Sequence, residues 1–355
     1  MVTTAVTGRL QVSVIVPARN EEACLTDCLQ SLTTQSGVAF EIIVVDDHSI
    51  DRTREIAMSF PGVGVLEAGP LPDGWTGKNN AVTTGAGAAR GEWLLFTDAD
   101  TVHLPGSLAA ALKEAQENGA ELLSYSPEQI AATFWEMATL PVVFAELARQ
   151  YSPSKVSDPN SSVAAANGQY ILIRRETYEA VGGHAAIAGN ILEDVALARA
   201  VKSSGRKIRF RYGANAVRTR MYRNYRQLRD GWTKNLTLLF PSPGWLALRI
   251  FAWWAFAWLA LSLGIVSVAT RYWDTALCIL PWAFLVIRIN RAHFGIRMTG
   301  IAVAFGPLMF AYLLLRSKRA HASGNVTWKG RTYGPKDSPA HEVISHTPTP
   351  AGRLS

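Results

Sequence analysis

Cysteine is scarce in this chain. Cys24, Cys28 and Cys278 are the only three in 355 residues, and none are in CxxC spacing. An odd, scattered set excludes a disulfide framework and a cysteine zinc site, leaving core or surface thiols as the default. The first twenty residues lack a long apolar run behind a basic start, so no secretory signal is expected and the N-terminal part is placed in the cytosol. No GxGxxG follows the first apolar strand pattern, which counts against a dinucleotide-binding dehydrogenase. Acids are nearly missing from residues 201–235, where eleven basic residues stand against Asp230 alone. A block of that kind is a solvated face, a nucleic-acid patch or a surface drawn to anionic lipid.

Apolar residues are plentiful. They make up 48% of the chain, mean hydropathy is +0.09, and tryptophan clusters from Trp245 onward. Residues 250–269 carry no charge, enough to cross a bilayer core of about 30 Å. The basic block is therefore juxtamembrane, and nucleic acid is not expected as a partner. A second run, 275–287, is flanked by Trp273 and Arg288, and a third, 298–315, is interrupted by Gly306-Pro307. Basic residues at 288–297 and again after Arg316 favour the cytoplasmic side for the globular part, that loop and the tail. The expected plan is a domain over 1–235 and a membrane region over 236–316, followed by a basic cytoplasmic tail over 317–355, largely disordered after 334. Two helices, about 246–270 and 272–289, would span. The 298–315 run would be a third helix or a re-entrant hairpin bent at Gly306-Pro307.

The centre of the N-terminal part is Trp93 to Asp100, WLLFTDAD, a short buried strand pattern that stops at two carboxylates. In an open α/β sheet ligands bind at strand carboxyl ends. Asp98 and Asp100 are hard oxygen donors one residue apart, suited to Mg²⁺ or Mn²⁺ holding a diphosphate; the plain alternative is an aspartate-rich turn. Upstream, residues 12–16 form a strand run closed by Pro17, with Glu21 in the polar loop after it. Residues 41–45 form another strand, ending in Asp46-Asp47, either of which could face a ribose or base. Ser49 and Asp51 read as helix caps. Lys78 lies near the start of a small-residue helix, where an ammonium and backbone N–H groups together hold a phosphate. Gly85-Ala86-Gly87 lies inside that helix and reads as tight packing. Strand and helix alternate from 12 to 115, which argues a doubly wound, mostly parallel sheet.

These motifs, PARNEE, VVDDHSIDRT, GWTGKNNA, FTDAD and ILEDVALA in that order between residues 17 and 198, together resemble the family 2 glycosyltransferases. The resemblance implies a GT-A fold, an α/β domain followed here by transmembrane helices, and an inverting enzyme using a UDP- or GDP-sugar donor. It also implies that Asp98 and Asp100 hold the divalent metal, and that Pro17, Glu21, Asp46 or Asp47, Lys78 and Asp98 line the nucleotide site. Inversion needs one base to take the acceptor proton. The Glu193-Asp194 pair resembles the family's base motif, which implies Asp194 as the base with Glu193 in support. The alternative is helix capping.

Arg226 to Trp232 resembles the place where membrane-bound relatives carry QxxRW, and implies Arg229 on the leaving diphosphate and Trp232 near the acceptor. Here Asp230-Gly231 separates the two, and Arg226 stands where Gln is expected. The other basic residues of the block read as attraction to lipid. Residues 134–147 form either an interfacial amphipathic segment or a core helix, and residues 158–170 a loop over the acceptor. Trp328-Lys329-Gly330-Arg331 with Tyr333 resembles the WKGR-Y tail of membrane glycosyltransferases acting on lipids, and on the cytoplasmic face it would line the mouth of the site. The expected function is transfer of one sugar to a membrane lipid hydroxyl, with an isoprenoid or carotenoid acceptor favoured, at the inner membrane. The alternatives are a processive polysaccharide synthase and a non-catalytic nucleotide-sugar binder.

Overall fold

Apolar runs long enough for strands but too short for spans build the first half of the chain, and the computed structural model describes residues 10–270, 278–290, 294 and 296–333. In chain order the first elements are β1 (Val12–Ala18), α1 (Leu25–Thr33), β2 (Phe40–Asp46), α2 (Thr53–Met58), β3 (Val63–Glu67), α3 (Gly77–Ala88) and β4 (Trp93–Phe96). β1 pairs in parallel with β2 on one side and β4 on the other. Its side chains alternate. Val12, Val14 and Val16 pack towards α1, whereas Ile15 packs towards α3. The strand is buried on both faces, which is why it reads as one apolar run. Gly85 allows that packing, since a Cβ there would lie 2.6 Å from Ile15 Cγ2, whereas Gly87 has open space around it.

β5 (Thr101–His103), α4 (Ser107–Glu117), β6 (Leu122–Ser126), β7 (Glu128–Gln129), α5 (Phe134–Gln150), α6 (Pro153–Ser157), β8 (Ile171–Arg174), α7 (Arg175–Ala180), α8 (Glu193–Ser203), β9 (Ile208–Tyr212) and β10 (Val217–Thr219) follow. The main sheet runs β3-β2-β1-β4-β8-β6-β9, and β8 is its antiparallel member. Strand order reverses between β1 and β4, so a crevice opens there at the carboxyl ends. β5, β10 and β7 form a small second sheet behind the Asp98–Asp100 turn.

The last elements are α9 (Tyr225–Leu239), α10 (Pro243–Ala269), α11 (Leu280–Asn290), α12 (Ile296–Ala322), β11 (Val326–Trp328) and β12 (Arg331–Tyr333). Two of these helices, over 243–267 and 298–322, are long and apolar enough to cross a membrane by length and composition. The alternative of a hairpin bent at Gly306-Pro307 gives way to a third helix, and the second expected span is described only from residue 278. α11 has 11 described residues, about 16 Å at 1.5 Å per residue, while the 298–315 run belongs to a 27-residue helix unbroken at Gly306-Pro307. That dipeptide serves packing. A Cβ on Gly306 would come within 2.3 Å of the Ala138 carbonyl oxygen, so the glycine lets α5 and α12 touch along their backbones. Residues 271–277 of the expected second span, 291–293 of the basic loop and everything after 333 lie outside the described residues.

Residues 134–147 fall in the helix α5. Its N-terminus is closed by a Thr133–Glu136 capping box, and its middle, Ala138 to Val143, is buried in one core with α9, α10 and α12. No seam falls at residue 235. α9 crosses it, and Ser317 Oγ of α12 donates to the Thr233 carbonyl at 2.7 Å. Glu146 of α5 is 3% exposed and faces Arg149, Arg249 and Arg288, bolting α5 to α10 and α11. Removing one buried charge strands its partners. With those arginines a quarter to half exposed, Glu146→Ala is expected to cost about 2 kcal/mol, read as an earlier thermal unfolding transition in detergent.

Candidate active site

The crevice is the mouth of one cavity of about 1070 Å³. The ends of β1, β2 and β4 supply one wall with Pro17, Glu21, Asp47, Asp98 and Asp100, and the start of α8 supplies Glu193 and Asp194. The other end is apolar, lined by Phe144, Leu147 and Tyr151 around α5, Trp232 and Leu239 of α9, and Phe294 and Met298 at α12.

Lys78 ties the two acidic groups together. Its Nζ lies 2.7 Å from Asp98 Oδ1 and 2.6 Å from Glu193 Oε1. Burial pushes its ammonium down, but the two carboxylates outweigh burial and hold it well above the usual lysine range. Glu193 is held low despite burial, by Lys78 and by Lys234 of α9. Asp194 behaves oppositely. Burial and then the Glu193 charge push it up to about 6, although its Oδ2 accepts the Gly168 N–H at 3.0 Å and its Oδ1 the Val195 N–H at 2.8 Å. One carboxylate of the pair is locked as an anion and the other is poised near neutral pH, the division that acid–base work requires. α8 has no side-chain cap at its N-terminus.

Asp100 is half-buried, and its buried Oδ1 has no hydrogen-bond partner among the described residues. Burial, then Asp98 and Glu21, push its carboxyl up to about 7, with Lys329 and Lys78 partly offsetting them. An orphaned carboxylate oxygen beside a second aspartate fits a hard divalent cation. No cluster of three or more ligating side chains forms among the described residues. A cation at Asp98 and Asp100 would therefore complete its shell from substrate phosphates and water.

The Asp46–Asp47 choice is decided by the turn. Asp46 points back and accepts the Ser49 N–H at 3.3 Å, whereas Asp47 lines the cavity. Asp51 caps the start of α2 through the Thr53 N–H at 3.0 Å, and Ser49 accepts the Asn20 N–H. Trp232 is 2% exposed and packs edge-on to Phe144 at the cavity's apolar end. Arg229 lies outside the described cavity lining, and its guanidinium pairs with neighbouring Asp230 at 2.8 and 3.2 Å. Gly231, part of the dipeptide that separates it from Trp232, has the Tyr222 ring against its Cα, where a Cβ would be 2.5 Å from the ring. Arg229→Ala is accordingly expected to change kcat less than about threefold, far below the loss for a group on the reacting phosphate, as steady-state turnover would show.

Part of the basic block is paired within the fold. Arg209 and Arg211 pair with Glu114, Arg218 with Glu128 and Arg220 with Glu136. Lys234, read with the lipid-attracted residues, is half-buried in the cavity wall, and desolvation there lowers its affinity for a proton.

The tail returns to the cavity as expected, and it does more than border it. β11 and β12 form a hairpin whose Lys329-Gly330 turn has both φ angles positive. Lys329 Nζ pairs with Glu21, and Arg331 grips Asp47 with two nitrogens. These pairs span about three hundred residues of chain, and no local pattern announced them.

Comparison with known proteins agrees with this architecture. Residues 13–182 match the family described as "Glycosyl transferase family 2". The chain is 28% identical over 331 residues to 4,4'-diaponeurosporenoate glycosyltransferase of Staphylococcus aureus strain MRSA252, covering 90% of this chain and 88% of that one, and strain USA300 matches equally. Among solved structures, a mannosyltransferase from Pyrobaculum calidifontis in complex with GDP-Man and Mn²⁺ is similar in fold. It has a TM-score of 0.50 and 19% identity, over 88% of this chain and 87% of that one.

Proposed function

We propose, from the match of residues 13–182 to the family described as "Glycosyl transferase family 2", that this chain transfers one sugar, with inversion, from a nucleoside-diphosphate sugar to a membrane lipid. The single observation that carries the acceptor is the cavity itself: an acidic end at the strand tips is continuous with an apolar end between α5, α9 and α12. A sugar nucleotide suits the first. A long apolar chain suits the second, with its polar terminus brought to Asp194. α10 and α12, each long and apolar enough to cross a membrane, would hold that apolar end at the bilayer and the acids on the cytoplasmic side.

In this mechanism Asp194 takes the proton of the acceptor hydroxyl as its oxygen attacks C1 of the sugar opposite the departing diphosphate. Glu193, kept anionic by Lys78, keeps Asp194 basic enough for the task. Asp47 and Glu21 flank the nucleoside side, and Asp98 and Asp100 would hold a Mg²⁺ or Mn²⁺ ion. That ion supplies charge neutralisation for the diphosphate when bound.

The relatives' name supports a second acceptor chemistry, a carotenoid carboxylate. A carboxylate arrives ionised and leaves Asp194 no proton to take. One experiment tests both. Detergent-solubilised protein is incubated with Mn²⁺, UDP- and GDP-sugars and either isoprenoid alcohols or carotenoid acids, with glycolipid products followed by mass spectrometry. The proposal expects a metal-dependent O-glycoside, joined through an acetal at C1. Turnover only with acids moves the assignment to the carboxylate, and absence of transfer to any lipid defeats the lipid reading.

A further inference from the structure

The acidic end of the cavity gathers six carboxylates: Glu21, Asp47, Asp98, Asp100, Glu193 and Asp194. A diphosphate brings more negative charge into this place, and breaking the sugar–phosphate bond concentrates it further on the terminal phosphate oxygen. Cations must meet it there. Arg229 is turned to Asp230. Lys78 is held between Asp98 and Glu193, Lys234 lies on the Glu193 side, and Arg19 donates to the backbone carbonyls of Asp47 and Lys329.

The C-terminal hairpin brings two cations to the nucleotide side, and its geometry is built for delivery. The two-residue turn places Lys329 and Arg331 either side of Gly330. Arg331 reaches Asp47 only because residue 77 is glycine, since a Cβ there would sit 1.3 Å from its guanidinium. The Lys329 backbone carbonyl is held by Arg19 Nε at 3.2 Å, and its Nζ donates back to the Arg19 carbonyl at 3.1 Å. From Glu21 that ammonium is near enough to Asp100 to act on its carboxyl.

We propose that Lys329 is the catalytic cation of the leaving diphosphate, swinging from Glu21 to a phosphate oxygen when the donor binds, and that Arg331 is the positioning residue that clamps the hairpin over the site. The C1–O bond to the terminal phosphate breaks with its electron pair going to that phosphate oxygen. The acceptor oxygen bonds to C1, and its proton goes to Asp194. Lys329 keeps its three protons and donates hydrogen bonds to the new charge. The hairpin thus fills the role for which the Arg229 position was the sequence candidate.

This inference rests on the sugar-nucleotide reading of the site, and the test separates the two. Titration calorimetry with Mn²⁺ compares UDP and GDP with UMP and GMP on the full-length wild type, Lys329→Ala and Lys329→Arg. The wild type is expected to prefer one diphosphate over its monophosphate. Lys329→Ala is expected to lose about tenfold in diphosphate affinity with monophosphate affinity within about twofold, and about a hundredfold in kcat. Lys329→Arg is expected to recover most of both. A structural role would weaken both nucleotides equally and shift the unfolding temperature. Equal affinities across the three proteins, or tighter diphosphate binding in Lys329→Ala as from removal of a plug, overturn the assignment alone. A wild type that binds neither diphosphate overturns the donor site and this assignment with it.

Discussion

Asp194→Asn is expected to lower kcat about a thousandfold with a hydroxyl acceptor, while diphosphate affinity stays within about twofold. The reason is the division of labour between two adjacent carboxylates. Glu193 is locked as an anion by Lys78, 2.6 Å away, and cannot serve as a base without breaking that pair. Among the described residues Asp194 has no cation bonded to it; it accepts two backbone N–H groups and is pushed up to about 6. The sign follows. The base works when ionised, so kcat/KM is level above about pH 6 and falls about tenfold per unit below it. In Asp194→Asn the residual rate loses that dependence. Turnover at saturating donor, measured from pH 5 to 8 in both proteins, checks the effect. A variant within tenfold of wild type would transfer the proton role to another group or the acceptor to a carboxylate.

Asp100→Asn is the second large effect, expected to cost two to three orders of magnitude in kcat/KM, roughly what several kcal/mol of metal-borne charge stabilisation supplies. Asp98 is the less informative target, because its Oδ1 also holds Lys78. Among the described residues Asp100 makes no such pair and its Oδ1 is buried without a partner, and burial beside Asp98 and Glu21 pushes it up to about 7. An incoming divalent ion must displace a proton below that pH, so Mn²⁺ affinity in the presence of diphosphate is expected to weaken about tenfold per unit below pH 7. Mn²⁺ titration followed by electron paramagnetic resonance reads this without turnover. The fold should not suffer, since the amide removes a buried charge. Retained pH-dependent Mn²⁺ affinity in Asp100→Asn would place the ion elsewhere.

Much of the sheet was legible because its signals are local. β2 and β4 are apolar runs closed by acids and β1 one closed by Pro17, and burial on both faces erases any alternation, so each reads as a strand from four to seven residues alone. The acids after those strands were legible for the same reason. What was misread depended on partners. Gly306-Pro307 carries the punctuation of a bend, yet packing against α5 keeps α12 whole. The basic run from 201 to 235 looks unopposed because Glu114, Glu128 and Glu136 lie about a hundred residues earlier in the chain.

The strand runs, the acidic turns and the small-residue helix α3 are thus written in the chain, because each follows from the polarity and size of neighbouring residues, whereas the order of the strands is not. Which of Asp46 and Asp47 faces the cavity, that Arg229 turns away, and that Lys329 and Arg331 close over Glu21 and Asp47 were settled only by the folded chain. Long side chains choose among carboxylates by distance, and those distances exist only once residues three hundred positions apart have met.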